Sequence, residues 1–319
     1  MEVKGRLPNS MPLKSFTNSS TDAPAVAPTP AARHQNPIQW NLTPPRYTME
    51  DLILDSATTA QLLDVISYFQ NRDLLFVQWG LAERFAGMDG LAVNLFGPPG
   101  TGKTMAAHAI SDALHKPMLC VDYAEIESKY VGETSKNLSK LFQTASEQDA
   151  VIFFDEADAL LSKRVTNMTS ATDVSVNQTR SVLLNLLNQY HGVILFATNF
   201  IQNFDAAFLR RIRYHVQFHL PDTILRERLW RTYIPRQMPC QVDCADLAEK
   251  FAGISGSDIA NAVFSAAVSA ARDGERLVPQ IRFEEAIQRN LEVKSANQRG
   301  TVSKRIISAE DAKQLGNAG

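Results

Sequence analysis

Long apolar runs are missing from this chain of 319 residues: none approaches the roughly 20 residues that span a bilayer. The N-terminus also lacks the apolar stretch of a secretory signal, so neither membrane insertion nor export is expected. Cysteine is scarce. Cys120, Cys240 and Cys244 are too few, and odd in number, for a disulfide framework. The Cys240/Cys244 pair has no second Cys or His pair nearby to complete a zinc site, so all three are expected to be ordinary thiols of a reducing cytoplasm. Net charge is low as well. The 32 basic and 34 acidic residues leave −2, which argues against coating nucleic acid by bulk charge. What is abundant is core-forming material: 45% hydrophobic against 21% charged residues, the balance of a globular protein.

Proline is concentrated at one end. Eight of the fifteen fall in the first 45 residues, beside only six charged side chains. Segments such as 23–30 cannot sustain helix or ladder bonding, because each proline lacks a donor and restricts its neighbour. Residues 1–45 are therefore expected to form a disordered Pro-rich leader. From Tyr47 onward short apolar runs (Leu91–Phe96, Pro117–Val121, Ala150–Phe154, Val193–Ala197 and His215–Leu220) are separated by amphipathic stretches such as 103–115 and 135–147. Buried runs of that length alternating with helices predict an α/β fold around a mostly parallel sheet over residues 46–222. Past Pro221-Asp222 the strands stop. Segments 223–235, 243–252, 256–273 and 282–291 read as helices, giving a smaller all-helical unit over 223–292. The polar stretch 293–319 is expected to be a flexible tail with a short helix at 307–315. No internal repeat is present.

The strongest chemical signal is Gly97-Pro98-Pro99-Gly100-Thr101-Gly102-Lys103-Thr104, between the first apolar run and a helix. Glycines let the backbone turn tightly and aim successive N–H groups at phosphate oxygens, and the helix N-terminus adds its positive end. Lys103 is placed to reach the β- and γ-phosphates and Thr104 to ligate Mg²⁺. The next is Asp155-Glu156 at the end of Ala150–Phe154. Adjacent carboxylates after a buried strand suit a ligand crevice, with Asp155 toward Mg²⁺ and Glu156 polarising a water; the lesser reading of Asp155 alone is a helix cap. Asn199 ends Val193–Ala197 in the same way and is a candidate to orient that water, although a strand-terminal Asn is often only a turn residue. Arg210, Arg211 and Arg213 crowd the turn before the last strand. Such arginines either lie in solvent or stabilise phosphoryl charge on a neighbouring subunit.

Taken together these residues resemble the AAA ATPase family in its narrow sense, over residues 47–292. The resemblance implies an AAA+ module, a five-stranded parallel sheet flanked by helices and followed by a small all-helical lid. It implies ATP held by Pro99, Gly100, Thr101, Gly102, Lys103, Thr104 and Met105, with Ile53, Gly256 and Ser257 completing the nucleotide pocket. Thr104 and Asp155 are implied as Mg²⁺ ligands, and Glu156, Asn199, Arg210 and Arg213 as the catalytic set. The family carries Pro and Gly where this chain has Arg211 and Ile212, so three arginines stand where two fingers are expected. Ile53 stands where glycine is common.

Lys129-Tyr130-Val131-Gly132-Glu133 is similar to the pore loop with which such ATPases grip polypeptide; read bare, it is a strand end or turn. The aromatic supplies apolar contact without sequence specificity. The implied activity is ATP-driven remodelling of a protein client by a homo-oligomeric ring, a hexamer, in the cytoplasm and without a membrane. Two alternatives share the ATP chemistry. A nucleic-acid loader would use Lys129, Lys163 and Arg164 as a basic rim, against which the net charge speaks; an assembly switch would act without threading. The chain holds no His-Glu-x-x-His protease signature.

Overall fold

Apolar residues at alternate positions of five short strands face two different helical layers, and this alternation organises the N-terminal part of the computed structural model. It describes residues 40–85, 90–121, 133–162, 171–199 and 204–302. The strands are β1 (Leu91–Phe96), β2 (Met118–Val121), β3 (Val151–Phe154), β4 (Val193–Thr198) and β5 (Tyr214–Gln217). They form one sheet in the order β2-β3-β4-β1-β5, and every pairing is parallel. One face sets Leu91, Val93, Leu95, Phe153 and Leu195 against α1 (Ser56–Gln70) and α2 (Lys103–Ala113), through Leu62, Val65, Ala106 and Ile110. The other sets Ala92, Ile152, Phe154 and Phe196 against α3 (Glu133–Glu147) and α5 (Ala171–Gln189), through Leu138, Leu141, Phe142 and Leu183. A sheet covered on both faces needs strands that are largely apolar, as these are apart from Asn94, Thr198 and the edge strand β5. Between β3 and α5 lies the single turn α4 (Asp158–Leu161), and before β5 the single turn α6 (Ala206–Leu209).

The strand order places β1 between β4 and β5, with the chain crossing to opposite sides from it. Crevices at the carboxyl ends of strands around such a reversal are where open α/β sheets bind ligands. The last strand ends three residues earlier than the apolar run predicts. Phe218 still donates to Phe96 O at 2.7 Å, but His219 and Leu220 leave the sheet to line a cleft.

Beyond Asp222, whose carboxylate caps the first turn through Leu225 N (2.8 Å), follow α7 (Thr223–Tyr233), α8 (Cys244–Lys250), α9 (Gly256–Arg272) and α10 (Gln280–Val302). Their core joins Trp230, Leu247, Phe251, Ile259, Ala262, Phe283 and Ile287. Buried Arg226 ties α7 to α8 through Ala248 O at 2.9 Å. The helical expectation needs one correction: Cys240–Gln241 and Val278–Pro279 pair as a two-residue parallel ladder. The tail expected from residue 293 begins later, because α10 runs to Val302 and Lys294 pairs with Asp258. The leader expected to reach residue 45 also gives way earlier. Trp40 packs against the sheet core, and Thr43 exchanges two backbone hydrogen bonds with Met118, covering the free edge of β2. The rest of the leader, the helix expected at 307–315, and Lys129, Tyr130, Val131, Lys163 and Arg164 lie outside the described residues.

Phe154 and Phe196 stack at the centre of one face, with centroids 5.2 Å apart and planes within 10°. Phe196 is fully buried. Phe196→Ala is expected to lower unfolding stability by about 3–5 kcal/mol, read as a fall in the urea midpoint with an unchanged slope.

Candidate functional site

Strand β1 delivers the Gly97–Gly102 loop to the sheet's carboxyl edge, and the loop then feeds α2. Thr101 Oγ1 donates to Pro98 O at 2.8 Å, pinning the curl. Lys103, only 9% exposed, sends its ammonium back into that curl, donating to Gly97 O (2.8 Å), Pro98 O (2.9 Å) and Asn199 Oδ1 (3.2 Å). Burial lowers its pKa below the usual lysine value, opposed by the charges of Asp155 and Asp158. Thr104 Oγ1 donates to Asp155 Oδ2 at 3.0 Å. The loop, Asp155 and Asn199 therefore converge from β1, β3 and β4 at one edge.

Glu156 follows Asp155 with φ of +50°, a left-handed conformation that is strained for a side chain of this kind. Its own N–H donates to Asp155 Oδ1 at 3.0 Å, and Ala157 N donates to Ala197 O at 2.9 Å. These bonds over-determine the turn and leave the Glu156 side chain exposed at the crevice. Asp158 was not singled out by the sequence, yet both its oxygens accept from Asn199 N, at 3.1 and 3.0 Å. It fixes Asn199 beside Lys103. A carboxylate four residues past a strand end was the available signal.

A cleft of about 710 Å³ opens between the loop and α7 and α9. Gly100, Thr101, Gly102, Lys103, Thr104, Met105, Ile53, Gly256 and Ser257 all line it; Pro99 does not. Tyr47, His219, Tyr233 and Asn261 complete its wall, and sequence reading did not find them. Helix α9 touches the loop directly: Ser257 N donates to Gly100 O at 3.2 Å. Ser255 caps the same helix in a reciprocal box with Asp258. Burial pushes the Asp258 carboxyl upward, but hydrogen bonds from Lys294 and Ser255 outweigh it and hold the pKa below the ordinary value.

The arginine turn sits elsewhere on the same unit. Arg210 is exposed. Arg211 donates to Asn188 Oδ1 (2.8 Å) and Ala207 O (3.0 Å). Arg213 donates to Tyr68 OH (2.6 Å) and lies over that ring.

The donor set at Thr104 and Asp155 consists of hard oxygens, which suits Mg²⁺. Among the described residues no cluster of His, Cys, Asp and Glu could hold a metal by itself, so such an ion would take most of its shell from phosphate and water.

Residues 93–221 match a family described as ATPase family associated with various cellular activities (AAA). The chain is 31% identical over 201 residues to an ATP-dependent zinc metalloprotease FtsH of Ureaplasma parvum, covering 62% of this chain and 28% of that protein. It is 36% identical over 192 residues to spastin of Anopheles gambiae (56% and 22%). It is 31% identical over 221 residues to the ATPase family gene 2 protein of Schizosaccharomyces pombe (67% and 26%). The chain thus spans between about a fifth and a third of the length of these relatives.

Gly100 has φ of +76° and a Cβ there would fall 1.9 Å from Ser257 Oγ; Gly253 has φ of +74° and open space. Alanine strains both by about 1–2 kcal/mol. Gly100→Ala is expected to weaken nucleotide binding at least ~10-fold more than Gly253→Ala, an extra ~1.4 kcal/mol, in a fluorescent nucleotide titration. Equal losses would show that the contact with α9 does not matter.

Proposed function

The chain belongs, through residues 93–221, to the AAA ATPase family, and from that premise we propose that it hydrolyses ATP to drive remodelling of protein clients as a ring, a hexamer. The observation that carries this reading is the convergence of Lys103, Asn199, Thr104 and Asp155 within hydrogen-bond reach at the ends of three neighbouring strands.

In this reading Lys103 and the N–H groups of the loop bind the β- and γ-phosphates, and the cleft wall from Ile53 to Ser257 holds the base and ribose. Thr104 and Asp155 would hold Mg²⁺, which when bound neutralises charge on the β- and γ-oxygens. Glu156 accepts the proton of a water whose oxygen forms the new bond to the γ-phosphorus as the bond to the β–γ bridging oxygen breaks. Asn199, fixed by Asp158, orients that water. Arg210 and Arg213 act on the pocket of the next subunit. Arg210 is already exposed, and Arg213, also exposed, rests on the hydroxyl and ring of Tyr68, whereas Arg211 is committed to Asn188 and Ala207. Lys129, Tyr130 and Val131 grip a threaded client.

Glu156→Gln is expected to bind ATP but not to turn it over, because the amide fills the same space and accepts no proton. Lys103→Ala is expected to lose binding itself. Fluorescent-analogue binding and phosphate release, measured side by side, separate the two; normal hydrolysis by the Lys103 variant would sink the ATPase reading. Arg210→Ala is expected to bind ATP and lose turnover by roughly 10³. Mixing with excess Glu156→Gln protein should restore hydrolysis in its pocket, and failure at every ratio in assembled rings would place Arg210 outside the neighbour's site.

Tyr130 is assigned no part in phosphoryl transfer. Tyr130→Ala is expected to keep basal hydrolysis but lose client-stimulated hydrolysis and client unfolding, while Tyr130→Phe keeps all three. Full client processing by Tyr130→Ala would exclude threading and leave a switch.

A further inference from the structure

Asn94 is the odd residue of the central strand. It is fully enclosed and lies on the face that otherwise carries Ala92, Phe154 and Phe196. Its Oδ1 accepts from Thr198 Oγ1 at 3.0 Å, and Thr198 immediately precedes Asn199. Its Nδ2 has no hydrogen-bond partner among the described residues. Across the β1–β5 pairing His215 stands opposite Asn94, on the same face, one strand spacing of about 4.8 Å away. His215 Nδ1 is likewise buried without a partner among the described residues. Burial pushes the His215 imidazole below its ordinary pKa, and hydrogen bonding to the backbone of Leu209 and Ile212 pulls it back. Those two residues bracket Arg210 and Arg211.

A polar strip thus crosses β4, β1 and β5, from the residue before Asn199 to His215, two residues past Arg213. Its cost calls for an explanation. Leucine would fill the volume of Asn94 and remove its orphaned Nδ2, leaving only the Thr198 hydroxyl to find another acceptor. What the polar version adds is a spare donor on Asn94 beside a spare acceptor on a neutral imidazole. The strip therefore has two arrangements that differ by one hydrogen bond: open, as observed, and closed between Nδ2 and Nδ1. An apolar slot has only one.

We propose that Asn94 and His215 are positioning residues, forming with Thr198 a switchable strip through which nucleotide contact at Asn199 sets the placement of the arginine turn toward the next subunit. The proposal rests on the ATPase reading above and deepens it. Each subunit's own pocket would thereby inform the pocket it completes next door, as a two-arrangement element biased from both ends.

The test uses the full chain and two variants, Asn94→Leu and His215→Phe. Hydrogen exchange of segment 205–217 is followed with and without a non-hydrolysable ATP analogue, at a dilution where sedimentation shows single copies. That dilution removes any neighbour's nucleotide from the signal. Analogue affinity is titrated on the same samples and is expected to be equal in all three, with the Tm of each variant recorded to show that it is folded. The wild type should change its exchange severalfold on binding, and both variants should lose that response. An undiminished response in stable Asn94→Leu would overturn the strip, as would a wild type that binds analogue without responding; both outcomes leave the ATPase reading standing. No analogue binding by the wild type would overturn both. Should Asn94→Leu fail to fold, His215→Phe decides by the same criterion.

Discussion

One buried cation organises the mouth of the sheet. An ammonium taken out of water costs several kcal/mol unless it is hydrogen-bonded and paired, and Lys103 meets that demand with two loop carbonyls, one amide oxygen and two nearby carboxylates. The three kinds of partner come from three strand ends. The carbonyls require the loop after β1 to curl back on itself, the amide requires Asn199 to stand at the end of β4, and Asp155 must follow β3. Parallel pairing brings these three ends to one edge; an antiparallel neighbour would have sent one of them to the far side. The strained turn at Glu156 and the grip of Asp158 on Asn199 follow from holding so many polar groups within a few ångströms.

That edge is closed by residues far away in the chain. Ser257 binds the loop carbonyl at Gly100, and Tyr47, Tyr233 and Asn261 wall the cleft. The helical region is therefore part of the site rather than an appendage to it. Any rotation of α9 is felt at the phosphate loop through a single backbone hydrogen bond.

Much of this was legible in the sequence because it is local. A phosphate loop must be contiguous, and Asp155, Glu156 and Asn199 announce themselves by following apolar runs. The strands and long helices were legible for the same reason, through period and length. What stayed hidden depends on pairing across distance. Asp158 reads as an ordinary helix-start carboxylate until Asn199 is placed beside it. Tyr47, His219 and Asn261 belong to one wall only after folding. Tyr68 and Asn188 distinguish the three arginines, yet neither carries a motif. Asn94 merely interrupts an apolar run, and its isolation is visible only in its burial. Thr43 sits among prolines, so composition assigned it to the leader although it finishes the sheet edge. The continuation of α10 was hidden too, because past Leu291 its contact with α9 is the charge pair of Lys294 rather than an apolar stripe.

The pair between Lys294 and Asp258 has a consequence for where this protein can be divided. By hydrophobic packing the helical region is complete near Leu291, the last apolar side chain against its core. By charge it is not, because Asp258, 6% exposed, caps α9 beside the phosphate loop and takes its cation from residue 294. A chain ended at the edge of the core would keep every apolar contact and leave the Asp258 carboxylate with its Ser255 bonds but without its cation. The smallest autonomous folding unit is thus delimited by an electrostatic closure, and that closure lies in the stretch whose sequence looks most dispensable.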